Sequence, residues 1–246
     1  MKIQKNIIFI FIFTILFFNL TVHSETLNKN VFIEKYILYK KSRKELREKR
    51  FDNAIYILEN MKKNNTNYLE NDRIQINLIY AYYKNLNFNL AQKNIKEFIY
   101  FYPNHPNMDY VIYIRCLISM ILDKNIFFKC LPISYHKNDP HYAINAFFQL
   151  KKFIYQYPKS FYVINAKRNL IYLKNRLAEH DFEILKFYFL HKQYISVVNR
   201  GAEIIRKYSE TLTARKTLIY MEKSFFALKI FDTSKKISEI IALNKI

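Results

Sequence analysis

Two groups of residues bring chemistry-bearing side chains together in this 246-residue chain. The first is FYPNHPNMDY, residues 101–110, where His105 stands four residues before Asp109. A histidine oriented by a carboxylate is the elementary base of acid–base catalysis. No nucleophile lies close to it in sequence, and Pro103 and Pro106 bracket the histidine. Proline lacks an N–H and disfavours helix in the residue before it, so the same stretch also reads as a joint between helices. The second group is Cys130, His136, Asp139 and His141, all of metal-ligand type. Their spacing fits no standard zinc finger, and Asp139 followed by Pro140 reads instead as a helix cap with proline in the first helical position. The chain has one Gly, which excludes glycine-rich phosphate loops. A protein without catalytic residues, bound metal or cofactor is expected, and FYPNHPNMDY is expected to be a joint.

Composition restricts what could position such groups. The chain is 51% hydrophobic, enough to bury a core. One Gly and five Pro leave little material for hairpin turns and barrel corners, so an all-α fold is expected. Forty Lys and Arg against 20 acidic residues leave a net charge of +20. That charge suits nucleic acid or an anionic membrane surface. The abundance of Lys, Asn, Ile, Phe and Tyr also fits compositional drift in an AT-rich genome, which carries the larger share.

The N-terminus reads MKIQKNIIFIFIFTILFFNLTVHSE: Lys2 and Lys5, an apolar run from Ile7 to Leu20, then Val22-His23-Ser24. That order is a signal peptide over residues 1–24, and the apolar run is short for a membrane anchor of about 20 residues. The remainder, 25–246, is then expected outside the cytoplasm. Its two cysteines, Cys116 and Cys130, either bridge or stay as buried thiols.

An internal repeat organises that remainder. An aromatic residue is followed three positions later by a small or slim one: Phe51 and Ala54, Phe88 and Ala91, Tyr194 and Val197, Phe231 and Ser234. The aromatic residues recur after 37 residues in both halves, and Ala143 with Ala146 forms a related copy. A large residue follows each small one by seven: Met61, Phe98, Phe153, Ile204 and Ile241. Pro103 and Pro158 stand twelve after Ala91 and Ala146. Small residues let two helices approach, large ones fill the gap, and proline ends the second helix. A period a little above about 34 residues predicts a superhelical array of about five tetratricopeptide-type hairpins. Ile74, Leu78, Ala81 and Tyr82 share one helical face, as do Ile95, Phe98 and Ile99, and a third set is Ile164, Leu170, Leu173 and Leu177. The third copy carries an insertion at about residues 123–140. Tyr80, Tyr83 and Tyr113 are candidates to line a groove, either gripping peptide or stacking nucleobases.

Residues 76–115, INLIYAYYKNLNFNLAQKNIKEFIYFYPNHPNMDYVIYIR, closely resemble the BamD family of outer-membrane protein assembly factors. Shared features are the IYAYYKN run, LAQ and the joint Pro103-x-His105-Pro106-Asn107-x-Asp109-Tyr110-Val111. The similarity continues through Asp139-Pro140, Tyr157-Pro158, Leu173 to Ala178 and Val197-Val198-Asn199-Arg200. It implies a five-repeat periplasmic scaffold on the inner face of a Gram-negative outer membrane. Such a scaffold would dock to BamA, join other Bam subunits and recruit unfolded outer-membrane β-barrel clients. The family's BamA contact involves the C-terminal repeats, and its Val-Val-Asn-Arg motif puts that role on Arg200. The family is a lipoprotein acylated on a cysteine, whereas His23-Ser24-Glu25 stand in that zone here, so attachment is expected through BamA or an uncleaved N-terminus. The family's Arg-Tyr-Pro at the end of the first repeat, near its client-recognition turn, is replaced by Asn64-Asn65-Thr66. The competing expectation is a basic helical-repeat module that binds nucleic acid or another acidic partner.

Overall fold

Helices begin wherever the aromatic residue of the repeat stands. A computed structural model describes residues 33–64, 71–123 and 139–243. Ten helices are seen among them: α1 (33–47), α2 (Phe51–Asn64), α3 (Asn71–Lys84), α4 (Phe88–Phe101), α5 (Met108–Asp123), α6 (His141–Gln156), α7 (Val163–Leu190), α8 (Tyr194–Tyr208), α9 (Leu212–Ala227) and α10 (Phe231–Leu243). They pair as α1/α2, α3/α4, α5/α6, α7/α8 and α9/α10, the all-α array of hairpin repeats expected. Phe51, Phe88, Tyr194 and Phe231 each open a second helix. The small residues behind them are all buried, Ala54, Ala91 and Val197 at 0% and Ser234 at 4% exposure, as is Ala146 of the related copy at 0%. Residues 1–24, Asn65, Thr66, Cys130 and His136 lie outside the described residues, as does 124–138 of the expected insertion. Asp123 is helical, the last residue of α5.

The chain divides into two compact units, Met1–Pro103 and Asn104–Ile246. In the first, α3 packs on α2 and α4. Its core holds Leu58, Leu78, Ile79, Ile95 and Phe98, none more than 1% exposed. In the second, α6 packs on α5 and α7, α8 on α7 and α9, and α10 on α9. Cys116 lies there as a free buried thiol, and burial pushes its pKa up to about 12, so it stays protonated and unreactive. One expectation fails: Ile164 is 67% exposed. Six residues separate it from Leu170, a rotation of about 240° that takes it off the buried stripe of Val163, Ala166, Leu173 and Leu177.

The turns inside four of the hairpins share one backbone form. Lys49, Leu86, Lys192 and Lys229 have φ of 59°, 61°, 57° and 62°, each two residues before the aromatic that opens the next helix. Each N–H bonds back to a carbonyl three residues earlier, and the following N–H reaches one five earlier (Arg50 to Glu45, Asn87 to Tyr82, Gln193 to Tyr188, Ile230 to Phe225). This is the Schellman ending, whose left-handed residue is usually Gly. A side chain there costs about 1–2 kcal/mol. Gly loses about 0.5–1 kcal/mol more freedom on folding, which offsets part of that cost. Lys192→Gly is therefore expected to raise stability by roughly 0.5–1 kcal/mol in urea denaturation; a loss of stability would contradict the turn geometry. The single Gly serves packing instead. A Cβ on Gly201 of α8 would meet Met221 Sδ at 2.5 Å and Cγ at 2.6 Å on α9.

Candidate functional site

The histidine joint resolves by comparison with its counterpart 55 residues later. Tyr102 and Tyr157 end α4 and α6 with closely similar backbone angles (φ −130°, ψ 53° and φ −125°, ψ 58°), each N–H donating to the carbonyl of Phe98 or Phe153. Pro103 and Pro158 follow, both exposed. The N–H of Asn107 then donates to His105 Nδ1 at 3.0 Å, and the N–H of Tyr162 donates to Ser160 Oγ at 3.2 Å. Met108 N–H and Val163 N–H close the same turn on the carbonyls of His105 and Ser160. The imidazole thus does what a serine hydroxyl does in the other copy, satisfying a backbone donor before the next helix. Ser160 Oγ donates to Asp109 Oδ2 at 2.6 Å, so that carboxylate ties the turn of the second copy to the start of α5.

Of the second group of candidate ligands, Asp139 and His141 lie within the described residues. Asp139 Oδ1 accepts from His141 N–H at 3.0 Å, the capping bond expected of it. Helix α6 begins at His141, one residue later than expected, with Pro140 just before it. Among the described residues no group of three or more His, Cys, Asp or Glu could hold a metal ion.

A polar cleft of about 460 Å³ opens in the first unit between α2, α3 and α4. Lys62, Lys63 and Lys93 line it together with Glu59, Glu97, Leu78, Tyr82, Leu90 and Asn94. Lys62 Nζ donates to Asn94 Oδ1 at 3.0 Å and to Glu97 Oε2 at 2.8 Å. Gln75, 3% exposed, donates to the Asn94 carbonyl at 3.1 Å. The Tyr82 hydroxyl donates to Glu59; burial and that carboxylate raise its pKa above the usual phenol range. Both carboxylates are thus engaged by neighbours, and the lysines outnumber them. The warning in the sequence is two polar residues on otherwise apolar faces, Gln75 beside Ile74 and Leu78, and Asn94 between Ala91 and Ile95.

Of the three candidate groove tyrosines, Tyr80 and Tyr83 belong to the first unit and Tyr113 to the second. Tyr80 and Tyr83 are half-buried on α3, away from the residues lining the cleft. Tyr80 stands edge-on to Phe51, and Lys84 Nζ lies 5.7 Å and 5.4 Å from the Tyr80 and Tyr83 rings. Tyr113 is in the second unit and only 8% exposed. It stacks on Tyr162 at 5.0 Å and meets Phe153 at 5.6 Å, so it is a core residue rather than a lining one. Four consecutive residues, Val111 to Ile114, are buried on α5, which leaves no open face at Tyr113.

Arg200 lies on α8 with a 30% exposed side chain. Its Nη1 stands 3.7 Å from Asp181 Oδ1 and 3.7 Å from Glu203 Oε2. Lys207 bonds Glu203 and holds its pKa below the usual range. Tyr208 bonds Asp181, and burial, then that charge, push its phenol pKa up. Arg200 is therefore set among carboxylates but not forked onto either.

The family described as "Outer membrane lipoprotein" (YfiO) matches residues 33–240. The outer membrane protein assembly factor BamD of Buchnera aphidicola is 69% identical over 244 residues, 99% of each chain. That of Vibrio cholerae is 35% identical over 173 residues, 70% of this chain and 72% of the relative. That of Neisseria gonorrhoeae is 25% identical over 188 residues, 76% of this chain and 70% of the relative. Among the described residues no helix is long and apolar enough to cross a membrane. With the family match over residues 33–240 and 69% identity over 99% of both chains, this chain belongs to the BamD family.

Proposed function

We propose that the chain is a non-catalytic scaffold for outer-membrane protein assembly. It acts at the periplasmic face of the outer membrane together with a BamA-type barrel protein and other Bam subunits. The observation that carries this reading is the 69% identity with an outer membrane protein assembly factor over 99% of both chains. Nothing comparable favours the nucleic-acid reading of the +20 charge.

Arg200 is the proposed contact for the barrel partner. Both of its internal ion pairs run through Nη1, so the Nε–Nη2 edge can take a partner carboxylate in the two-point geometry that only Arg supplies. Arg200→Gln, which removes the charge with little change in size, and Arg200→Glu are expected to cut co-purification with the BamA-type partner at least about tenfold, the loss of one charge-assisted pair. Unchanged co-purification at matched expression of both variants would refute the role.

The cleft of the first unit is the proposed seat for an unfolded client's C-terminal segment. Its surplus of lysines suits a terminal carboxylate, and Leu78 and Leu90 suit an apolar end residue. Hydrogen exchange in α3 and α4 is expected to slow with a client C-terminal peptide and not with its C-terminal amide. Equal protection by both peptides would remove the carboxylate from the reading.

A further inference from the structure

From Pro140 to Ala178 the chain carries seven cations and no carboxylate. Two of the seven are used internally: Arg176 faces Asp123, and Lys174 bonds Glu210 at 2.6 Å. The other five, Lys151, Lys152, Lys159, Lys167 and Arg168, are exposed, and none forms an ion pair among the described residues. Lys151 lies near the ring of Phe147.

The apolar side chains between these cations point outward. Phe148, Lys151, Lys152 and Tyr155 follow one another at helical spacing on the exposed face of α6, with Phe148 64% and Tyr155 86% exposed. The turn into α7 adds Lys159 and Phe161, the latter 84% exposed. Single exposed apolar residues are ordinary, but an aromatic cluster framed by unneutralised lysines is not. The fold does not require it. The matching turn after α4 also exposes Tyr100 (79%) and Phe101 (61%), with Lys96 where Lys151 stands, but Glu97 takes the place of Lys152 and the turn residues Asn104 and Pro106 replace Lys159 and Phe161. The two turns share their backbone geometry, so these side chains answer to something outside the fold.

These residues occupy the exposed face of α6 and the turn that follows it. Aromatic tips with long cationic arms beside them suit a bilayer interface. The rings sit at the headgroup level while the lysines reach lipid phosphates. We propose that this α6–α7 corner, with Tyr155 and Phe161 at its tip, seats on a bilayer surface containing anionic phospholipid. This lipid contact is independent of the assembly role, and either can fail without the other.

The chain contains no Trp, so Phe161→Trp places a single indole at the tip of the full-length protein. Its emission is expected to shift to the blue with vesicles of phosphatidylglycerol and phosphatidylcholine, and not with phosphatidylcholine alone. Added salt should reverse the shift. Lys151→Glu, Lys152→Glu and Lys159→Glu together on that background should weaken partition by about a hundred-fold or more. All three side chains are exposed, so the helical signal should not change. A Tyr100→Trp protein reads the matching turn and should stay unshifted, which separates the corner from whatever the N-terminus does on a membrane. The proposal is overturned by no shift on anionic vesicles, by a shift that survives charge reversal, or by an equal shift at position 100. It is likewise overturned if an oligonucleotide shifts the indole and vesicles do not.

Discussion

Asp123→Ala should lower stability by about 3–5 kcal/mol, the cost of removing one partner of a buried ion pair. Arg176 Nε stands 3.7 Å from Asp123 Oδ2, and the two side chains are 1% and 0% exposed. Asp123 ends α5 and Arg176 lies in the middle of α7, so the pair ties two helices of the second unit. Without the carboxylate, a guanidinium that cannot deprotonate stays in the core. Arg176→Met is expected to cost less than Asp123→Ala, because a stranded carboxyl can escape by taking up a proton. The combined change to Leu at 123 and Met at 176 should come within about 1 kcal/mol of the parent, as apolar replacements of buried pairs often do. Urea denaturation of the three proteins tests the ordering. A loss below about 1 kcal/mol for Asp123→Ala would mean that the pair is solvated in solution.

That ion pair marks a limit of sequence reading. Arg176 lies within the Leu173-Lys174-x-Arg176-Leu177-Ala178 stretch shared with the family, yet periodicity alone gives no reason to bury an arginine. Its partner is 53 residues away, and nothing local announces the match. The repeat itself was far more legible. Small residues at a fixed place in each copy have one physical use, close helix approach, and all five are buried. The turns between paired helices were hidden for the opposite reason. Gly and Asn are the signals for left-handed residues, and this chain places Lys and Leu there. The one Gly, which a turn search would seize on, lies inside α8.

The candidate sites divide along the same line. His105 could be read as a joint because prolines act locally. Its equivalence to Ser160 shows only in the folded chain, since the two residues share a role and no chemistry beyond an acceptor atom. Tyr113 misled because aromatic residues suit both a groove and a core, and only burial separates them. The cleft of the first unit escaped notice because its lysines come from two helices, Lys62 and Lys63 on α2 and Lys93 on α4. In a chain with 40 Lys and Arg, no single lysine stands out. The α6–α7 corner stands out by the missing carboxylates rather than by its cations.

Phe153→Ala is expected to cost about 3–5 kcal/mol, as removal of a fully buried aromatic ring does. The ring is 0% exposed, with Tyr113 and Tyr157 each 5.6 Å away centre to centre. Those aromatic pairs add about 0.5–1.5 kcal/mol each beyond the area buried. Phe98 holds the same place in the first unit: 0% exposed, seven residues after the buried Ala91, with Tyr102 at 5.1 Å and a proline next. If the repeat is one physical unit used twice, Phe98→Ala should cost nearly as much. Phe153→Leu should recover roughly half of the Phe153→Ala loss, since it restores most of the volume but not the ring pairing. Tyr155→Ala, on the exposed face of the same helix, should change stability by under about 0.5 kcal/mol. Urea titrations with unchanged slope read all four. Near-equality of Phe153→Ala and Tyr155→Ala would show that the small-then-large spacing does not set the core. A large loss for Phe153→Ala with almost none for Phe98→Ala would show that the two copies share a pattern without sharing its energetics.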